Sequence, residues 1–411
     1  MYNLAFCKDF SYKPEIHDLL RRILDALISD KIISIILSGS VSRGEMSYFY
    51  DEGNLKLYSD IELFVILKKR MKKEERGALY NRIKDIEIVL NDQSKFAHID
   101  ISLLSLRRFQ RLPPKFQFFE TKKTGKVLYG KDLRQYFPDQ VDIKYINEYT
   151  LERLWSLILY FPREFFFGKF TEQNERDYKF ILSRSILDIP TWILSHNFYF
   201  IPGFKNRLEF INKNFINLGL QKFLPSWFLS FLNECWKGKT RLLFKRNLLD
   251  IYEKVLTCYF SSAKYILNKI NAGNADEEIE KRLIRHSNII FHETLLRRRI
   301  YELILIYKNL KNFNIKDIIN WYVLHKKGIL MAFFINMNLA SLNYIKENEI
   351  CNEYLKRSNN YMYQLDFRLK EVKNKNFINN WLDLRRKYIE FLTFFYRDFY
   401  LKRDYYYRII K

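Results

Sequence analysis

The sequence predicts an α+β protein: an N-terminal mixed sheet with helices behind it, followed by a large α-helical domain. Two observations carry this. Over the first third of the chain, short β-branched apolar runs alternate with amphipathic stretches of helical period. Beyond about residue 142, glycine becomes sparse and apolar residues recur at three- and four-residue steps. The domains are therefore expected over 1–140 and 141–411, with 272–274 as the place for a break between two helical subdomains.

Taken in order, Pro14 to Ser29 is apolar at Ile16, Leu19, Leu20, Ile23, Leu24, Leu27 and Ile28, which is helical spacing with proline in the first turn. Ile32 to Leu37 reads as a buried strand, and the turn at Gly39-Ser40 should open directly into a helix. Tyr48 to Tyr58, rich in tyrosine and charge, is placed to form a hairpin or flap. Ile61 to Leu67 is the second strand, Lys72 to Leu90 a charged amphipathic helix, Phe96 to Leu104 the third strand, and Lys126 to Tyr129 a terminal strand. Helices are then expected over Ile146 to Tyr160, Asp177 to Leu194, Leu242 to Ile270, Glu277 to Tyr307 and Phe377 to Tyr400. Breaks are expected at Pro162, Pro190, Pro202-Gly203, Pro225, Gly238 and Ala272-Gly273-Asn274.

Three carboxylates stand on these strands. Side chains alternate faces along a strand, so Asp60 and Glu62 share one face while Ile61 and Leu63 take the other. Asp100, between Ile99 and Ile101, fits the same scheme on a neighbouring strand. Acids crowded on one face repel unless they are protonated, separated or held by a cation. Such oxygen donors suit Mg²⁺ or Mn²⁺, which bind phosphate oxygens at the same time. The Gly39-Ser40 turn offers backbone N–H groups and a hydroxyl to an anion. Together these parts describe a metal-assisted phosphoryl or nucleotidyl transfer site. His98 falls on the same face as Asp100 and reads as a hydrogen-bonded neighbour rather than a metal ligand, since Mg²⁺ prefers oxygen.

An apolar run, Gly39-Ser40, a gap, Asp60-x-Glu62 and a third lone acid resemble the DNA polymerase β-like nucleotidyltransferase superfamily. Gly39-Ser40-Val41-Ser42-Arg43-Gly44-Glu45 is similar to its small bacterial branch of antibiotic and minimal nucleotidyltransferases. So is Gly125-Lys126-Val127-Leu128-Tyr129-Gly130, a segment with which that branch closes its catalytic domain. The interval from Gly39 to Asp60 is longer than in the family. The resemblance covers about the first third and implies a catalytic domain over 1–140, with the helical 141–411 selecting the acceptor. It implies an ATP- or other NTP-dependent transferase that moves a nucleoside monophosphate to an acceptor hydroxyl and releases pyrophosphate. Asp60, Glu62 and Asp100 would be the catalytic, metal-binding acids, with Asp100 completing a second metal site or taking the acceptor proton. Gly39 and Ser40 would hold the β- and γ-phosphates, and Ser42 and Arg43 would add contacts to the nucleotide. Arg43 reads equally well as a surface residue, and Glu45 as an acid behind the metal ligands or a residue on a helix face.

Charge and composition bound the partners. The formal net charge is +23 over 411 residues. Residues 1–150 carry 26 Lys/Arg against 21 Asp/Glu, leaving 44 against 26 for the remainder. A basic appendage can grip RNA or another polyanion. Yet Lys, Asn, Ile, Tyr and Phe are all over-used, as an AT-rich coding sequence produces without selection for binding. The expected partners are an NTP and a small hydroxylated acceptor, ahead of a protein side chain or tRNA. The alternatives are a nucleotide- or RNA-binding regulatory protein, or a toxin-antitoxin-like protein whose helical part is a HEPN-type ribonuclease. Arg285 and His292, two helical turns apart, resemble that signature. Cys7, Cys235, Cys258 and Cys351 lack metal-binding spacing and read as reduced thiols of a cytoplasmic protein. Met1 to Asp9 lacks the pattern of a secretory signal. Gly328 to Ile345 is the longest uncharged run, but Asn336, Asn338 and Asn343 interrupt it, so a buried helix is expected and no membrane contact.

Overall fold

A computed structural model describes residues 3–4, 13–69, 71–91, 98–142, 145, 157–158, 161, 164–168, 170–270, 273–274, 276–292, 326–365 and 376–395. The chain divides into two compact units. The first is Met1–Asn147 with Ile186–Gln221 and Ser226–Asn247; the second is Glu148–Ser185, Lys222–Pro225 and Leu248–Lys411. The sheet's own unit therefore takes in helical segments that lie well beyond residue 140.

In the first unit, α1 (Pro14–Leu27) starts on Pro14, whose missing N–H is one the first turn does not use. It buries Ile16, Leu19, Leu20, Ile23, Leu24 and Leu27 along one stripe. β1 (Ile32–Ser38) leads into the single turn α2 (Gly39–Ser42). β2 (Tyr48–Asp51) and β3 (Asn54–Leu57) pair antiparallel as the expected hairpin. Its two-residue tip, Glu52-Gly53, has φ of 49° and 79°, the left-handed geometry that matches the twist of a tight hairpin. β4 (Ile61–Leu67), α3 (Lys73–Asn91), β5 (Ile99–Ser105), α4 (Leu106–Phe109), α5 (Phe116–Thr124) and β6 (Lys126–Gly130) follow. The four-stranded sheet has the order β5-β4-β1-β6, with β4 and β5 parallel and the other neighbours antiparallel. The unit closes with α6 (Asp188–His196), α7 (Phe204–Asn214) and α8 (Phe228–Arg241).

Strand alternation sorts two cores onto the two faces of the sheet. Ile35, Leu37, Ile61, Leu63, Val65, Ile99 and Ile101 pack with the buried faces of α1 and α3. Ile36, Phe64, Ile66 and Leu104 point the other way, into a cluster with Phe109, Phe118, Leu133 and Phe137. Phe64 meets Phe118 and Phe137 edge-on, with ring centroids 5.8 and 5.2 Å away. The sheet is thus covered on both sides over this length, where helices were expected only behind it. Asp60, Glu62 and Asp100 share the parity of Phe64 and Leu104, so they continue that second face past the end of its apolar cover.

The second unit is helical among its described residues. Its helices are Glu164–Phe167, Glu172–Ile186, Leu248–Lys269, Ile279–His292, Lys326–Ile345, Cys351–Leu365 and Phe377–Phe395. An aromatic core gathers Phe161, Phe166, Tyr252 and Trp381, with Tyr344 stacked on Phe377 at 4.3 Å. Gly328–Ile345 is long and apolar enough to cross a membrane, but 67% of it is buried inside the protein. Its asparagines are absorbed there. Asn336 and Asn338 donate to Ala332 O and Phe334 O at 2.8 Å each, and the Tyr252 hydroxyl donates to Asn338 Oδ1 at 2.9 Å.

One expected break is not a break: Gly238 lies inside α8. The break expected at Pro190 falls at Leu187, between the helix ending at Ile186 and α6, whose first turn holds the proline where no N–H is needed. Cys235, Cys258 and Cys351 are free and buried. Most of the expected helix from Ile146 to Tyr160, the stretch beyond His292 to Tyr307, Pro162 and Cys7 lie outside the described residues.

Candidate active site

Strand register assembles the acids. Glu62 stands opposite Asp100 in the parallel β4–β5 pair and opposite Ser38 in the antiparallel β1–β4 pair. Ser38 is the last residue of β1, so the Gly39-Ser40 turn leaves the sheet at the end where Asp60 leads into β4 and Glu62 is its second residue. The Ser38 hydroxyl lies 3.4 Å from Glu62 O and 3.5 Å from Glu62 Oε2. Gly39 has a φ of +71°, and a Cβ there would stand 2.7 Å from Glu62 Oε1. The left-handed backbone calls for glycine, and any side chain there would also have to push the Glu62 carboxylate aside.

Asp60, Glu62 and Asp100 are each partly exposed. Asp60 Oδ1 is 2.8 Å from His98 Nδ1, and Ile61 N donates to His98 O at 2.9 Å, which pins the start of β4 to the residue before β5. His98, just before β5, is thus a close neighbour of the acids, paired with Asp60. Among the described residues, no group of three His, Cys, Asp or Glu side chains is gathered to hold a metal ion. The three carboxylates fit a hard divalent cation in donor type and in their placement on one face. Their side chains are not drawn around one centre: Asp60 is turned to His98 and Glu62 lies against Gly39.

Of the expected nucleotide-binding residues, Gly39 and Ser40 form the turn, with Ser40 partly exposed. Ser42 is buried and donates its hydroxyl to Gly39 O at 2.9 Å. Arg43 is no surface residue. Its Nε donates to Glu45 Oε2 at 2.7 Å and its Nη1 to Glu120 Oε2 at 2.8 Å. Burial alone would pull the guanidinium's pKa down, but Glu120, Glu45 and, more weakly, Glu62 raise it well above the ordinary arginine value.

Glu120, Arg207 and Lys239 complete a buried charged cluster that the sequence reading did not anticipate. Glu120 Oε1 accepts from Gly203 N at 2.7 Å and from Arg207 Nη1 at 2.8 Å. Burial favours the neutral acid, yet Arg43 and Arg207 hold its pKa below the ordinary glutamate value. Glu45 accepts from Phe204 N at 3.2 Å and Lys205 N at 3.0 Å, so the two carboxylates satisfy the first N–H groups of α7. Lys239, buried on α8, donates to Glu45 O. The signals were faint: Glu120 is a single acid after Phe118 and Phe119, and Pro202-Gly203 marks a helix start without naming its cap.

In the helical unit, Arg285 pairs with Glu277 at 2.8 Å through both Nη atoms. The side chain of His292 lies outside the described residues, as does the tail from Arg397 to Tyr407.

No protein-family model matches this chain, and no curated protein does. Among solved structures it is similar to spectinomycin adenyltransferase AAD(9) from Enterococcus faecialis, solved with ATP and spectinomycin. The two are 15% identical, with a TM-score of 0.38, over 62% of this chain and 98% of that one. A likeness this distant says nothing of what this chain binds.

Proposed function

We propose that the chain is a metal-dependent nucleotidyltransferase, moving a nucleoside monophosphate from an NTP to an acceptor hydroxyl. One observation supports this above the others. Register brings three acids to the same sheet end as a Gly-Ser turn whose glycine is held at positive φ against one of them.

In this reading Asp60 and Glu62, with Asp100 beside them, would hold Mg²⁺ or Mn²⁺. When bound, such an ion neutralises charge on the α-phosphate and on the departing pyrophosphate. The remaining work falls to the chain itself. The Ser40 hydroxyl and the N–H groups of its turn orient the β- and γ-phosphates. Ser42 and Arg43 serve the nucleotide through the shape of the turn, since their polar atoms already bond protein partners. The acceptor oxygen attacks the α-phosphorus, the bond to the bridging oxygen of pyrophosphate breaks, and Asp100 would complete a second metal site or take the acceptor's proton. A small hydroxylated acceptor is favoured over a protein side chain or tRNA. Buried free thiols suit a cytoplasmic setting.

The test is a transfer screen: purified protein, Mg²⁺ or Mn²⁺, and each α-labelled NTP, against cell extract, with mass analysis of labelled products. Slow NTP hydrolysis or transfer, abolished by Asp60→Asn, is expected. Folded protein that binds no NTP with either metal overturns the proposal.

A further inference from the structure

Arg43, Glu45, Glu120, Arg207 and Lys239 bring three cations and two carboxylates into the interior of the first unit. Burying five charges is costly unless each is paired with good geometry. Here the pairs are short, and they join segments far apart in the chain. Arg43 and Glu45 leave the Gly39-Ser40 turn directly, and the turn is closed by Glu45 N donating to Ser40 O at 2.9 Å. Glu120 comes from α5, while Gly203 and Arg207 reach it across 83 and 87 residues and Lys239 reaches Glu45 across 194. Phe204 is the hub. Its ring has Arg43 Cζ at 5.6 Å, Arg207 Cζ at 4.6 Å and Lys239 Nζ at 5.7 Å. The excess cation is not idle, since Arg43 also feels Glu62, the carboxylate that lies against Gly39.

We infer that Arg207 and Lys239 are positioning residues of the nucleotide site, acting through Arg43, Glu45 and Glu120 to fix the Gly39-Ser40 turn against Glu62. The inference rests on the nucleotidyltransferase reading for what the turn holds, but not for the mechanical coupling. It makes α7 and α8 part of the phosphate-binding apparatus, in addition to any part they play toward an acceptor. The geometry is reciprocal: Glu45 and Glu120 cap α7, and α7 in return holds the two acids that anchor Arg43.

Hydrogen exchange of the full chain, read peptide by peptide, tests this together with the affinity for each Mg²⁺-bound NTP. Arg207→Met should raise exchange in the peptide spanning 37–46 and weaken NTP binding by tenfold or more, with Arg207→Lys between it and wild type. A strand peptide spanning 61–67 should keep wild-type exchange, which a general loss of stability would not allow. Should Arg207→Met fail to fold, Phe204→Leu decides, because it keeps an apolar side chain and every charge and removes only the ring that the three cations face. Several-fold weaker binding with faster exchange at 37–46 is then expected. Folded Phe204→Leu or Arg207→Met with both readouts unchanged, or with exchange raised equally at 61–67, overturns the inference. Local loosening at 37–46 in Arg207→Met or Phe204→Leu, alongside a wild-type protein that binds no NTP, would uphold the coupling and refute the proposed activity.

Discussion

Gly39→Ala isolates the most specific contact in the site. Two costs are expected. At a φ of +71° an L-residue pays about 1–2 kcal/mol for the left-handed backbone. The new Cβ would also stand 2.7 Å from Glu62 Oε1 and 2.8 Å from Glu62 Cδ, so the carboxylate must swing away. Forcing that side chain off its rotamer costs about 0.5–1.5 kcal/mol. The sum is about 1.5–3.5 kcal/mol of stability. In a Glu62→Ala background the second cost vanishes and only about 1–2 kcal/mol remains. The assay is a double-mutant cycle on the urea midpoint of the transition that carries the sheet, which reads the coupling between the two positions directly. An identical cost in both backgrounds would refute the contact, and no cost in either would refute the backbone argument as well. In the wild-type background the displaced carboxylate should also weaken binding of an NTP with Mg²⁺ by at least tenfold, as equilibrium dialysis would show.

Two further outcomes are expected. Arg43 and Arg207 depress the pKa of Glu120 in the folded state, so its stabilising contribution is complete above the ordinary value of 4.5 and fades as pH falls below it. Thermal midpoints taken from neutral pH down through 4.5 should fall more steeply for wild type than for Glu120→Gln, which starts lower because the arginines lose a charged partner. In the helical unit, Tyr252→Phe removes the hydroxyl that donates to buried Asn338 Oδ1 at 2.9 Å. It should cost about 1–3 kcal/mol by denaturant titration, and adding Asn338→Leu should recover part of that cost, since the pair is then apolar on both sides.

The parts of this molecule that were legible in its sequence are those whose cause is local. A β-branched run with acids at alternate positions marks β4 because its pattern and its conformation have the same period. The same holds for α1, whose stripe recurs at helical steps, and for the hairpin, whose Glu52-Gly53 tip can take positive φ. Gly238 misled because one glycine inside a helix costs only about 1 kcal/mol, whereas Pro190 marks a real break, with one helix ending at Ile186 and the next taking the proline into its first turn. Arg43 shows where local reading ends. Nothing in Ser42-Arg43-Gly44-Glu45 distinguishes a surface arginine from a buried one, because its second carboxylate lies 77 residues on and the N–H groups that hold Glu45 lie 159 and 160 residues beyond it. A guanidinium is buried here only because two distant segments deliver its counter-charges, and that is a property of the assembled unit. The same reasoning separates the placing of the acids from their use. Alternation and register put Asp60, Glu62 and Asp100 on one face, whereas Asp60 turns to His98 and Glu62 lies against Gly39, neighbours that strand pairing and chain turn supply.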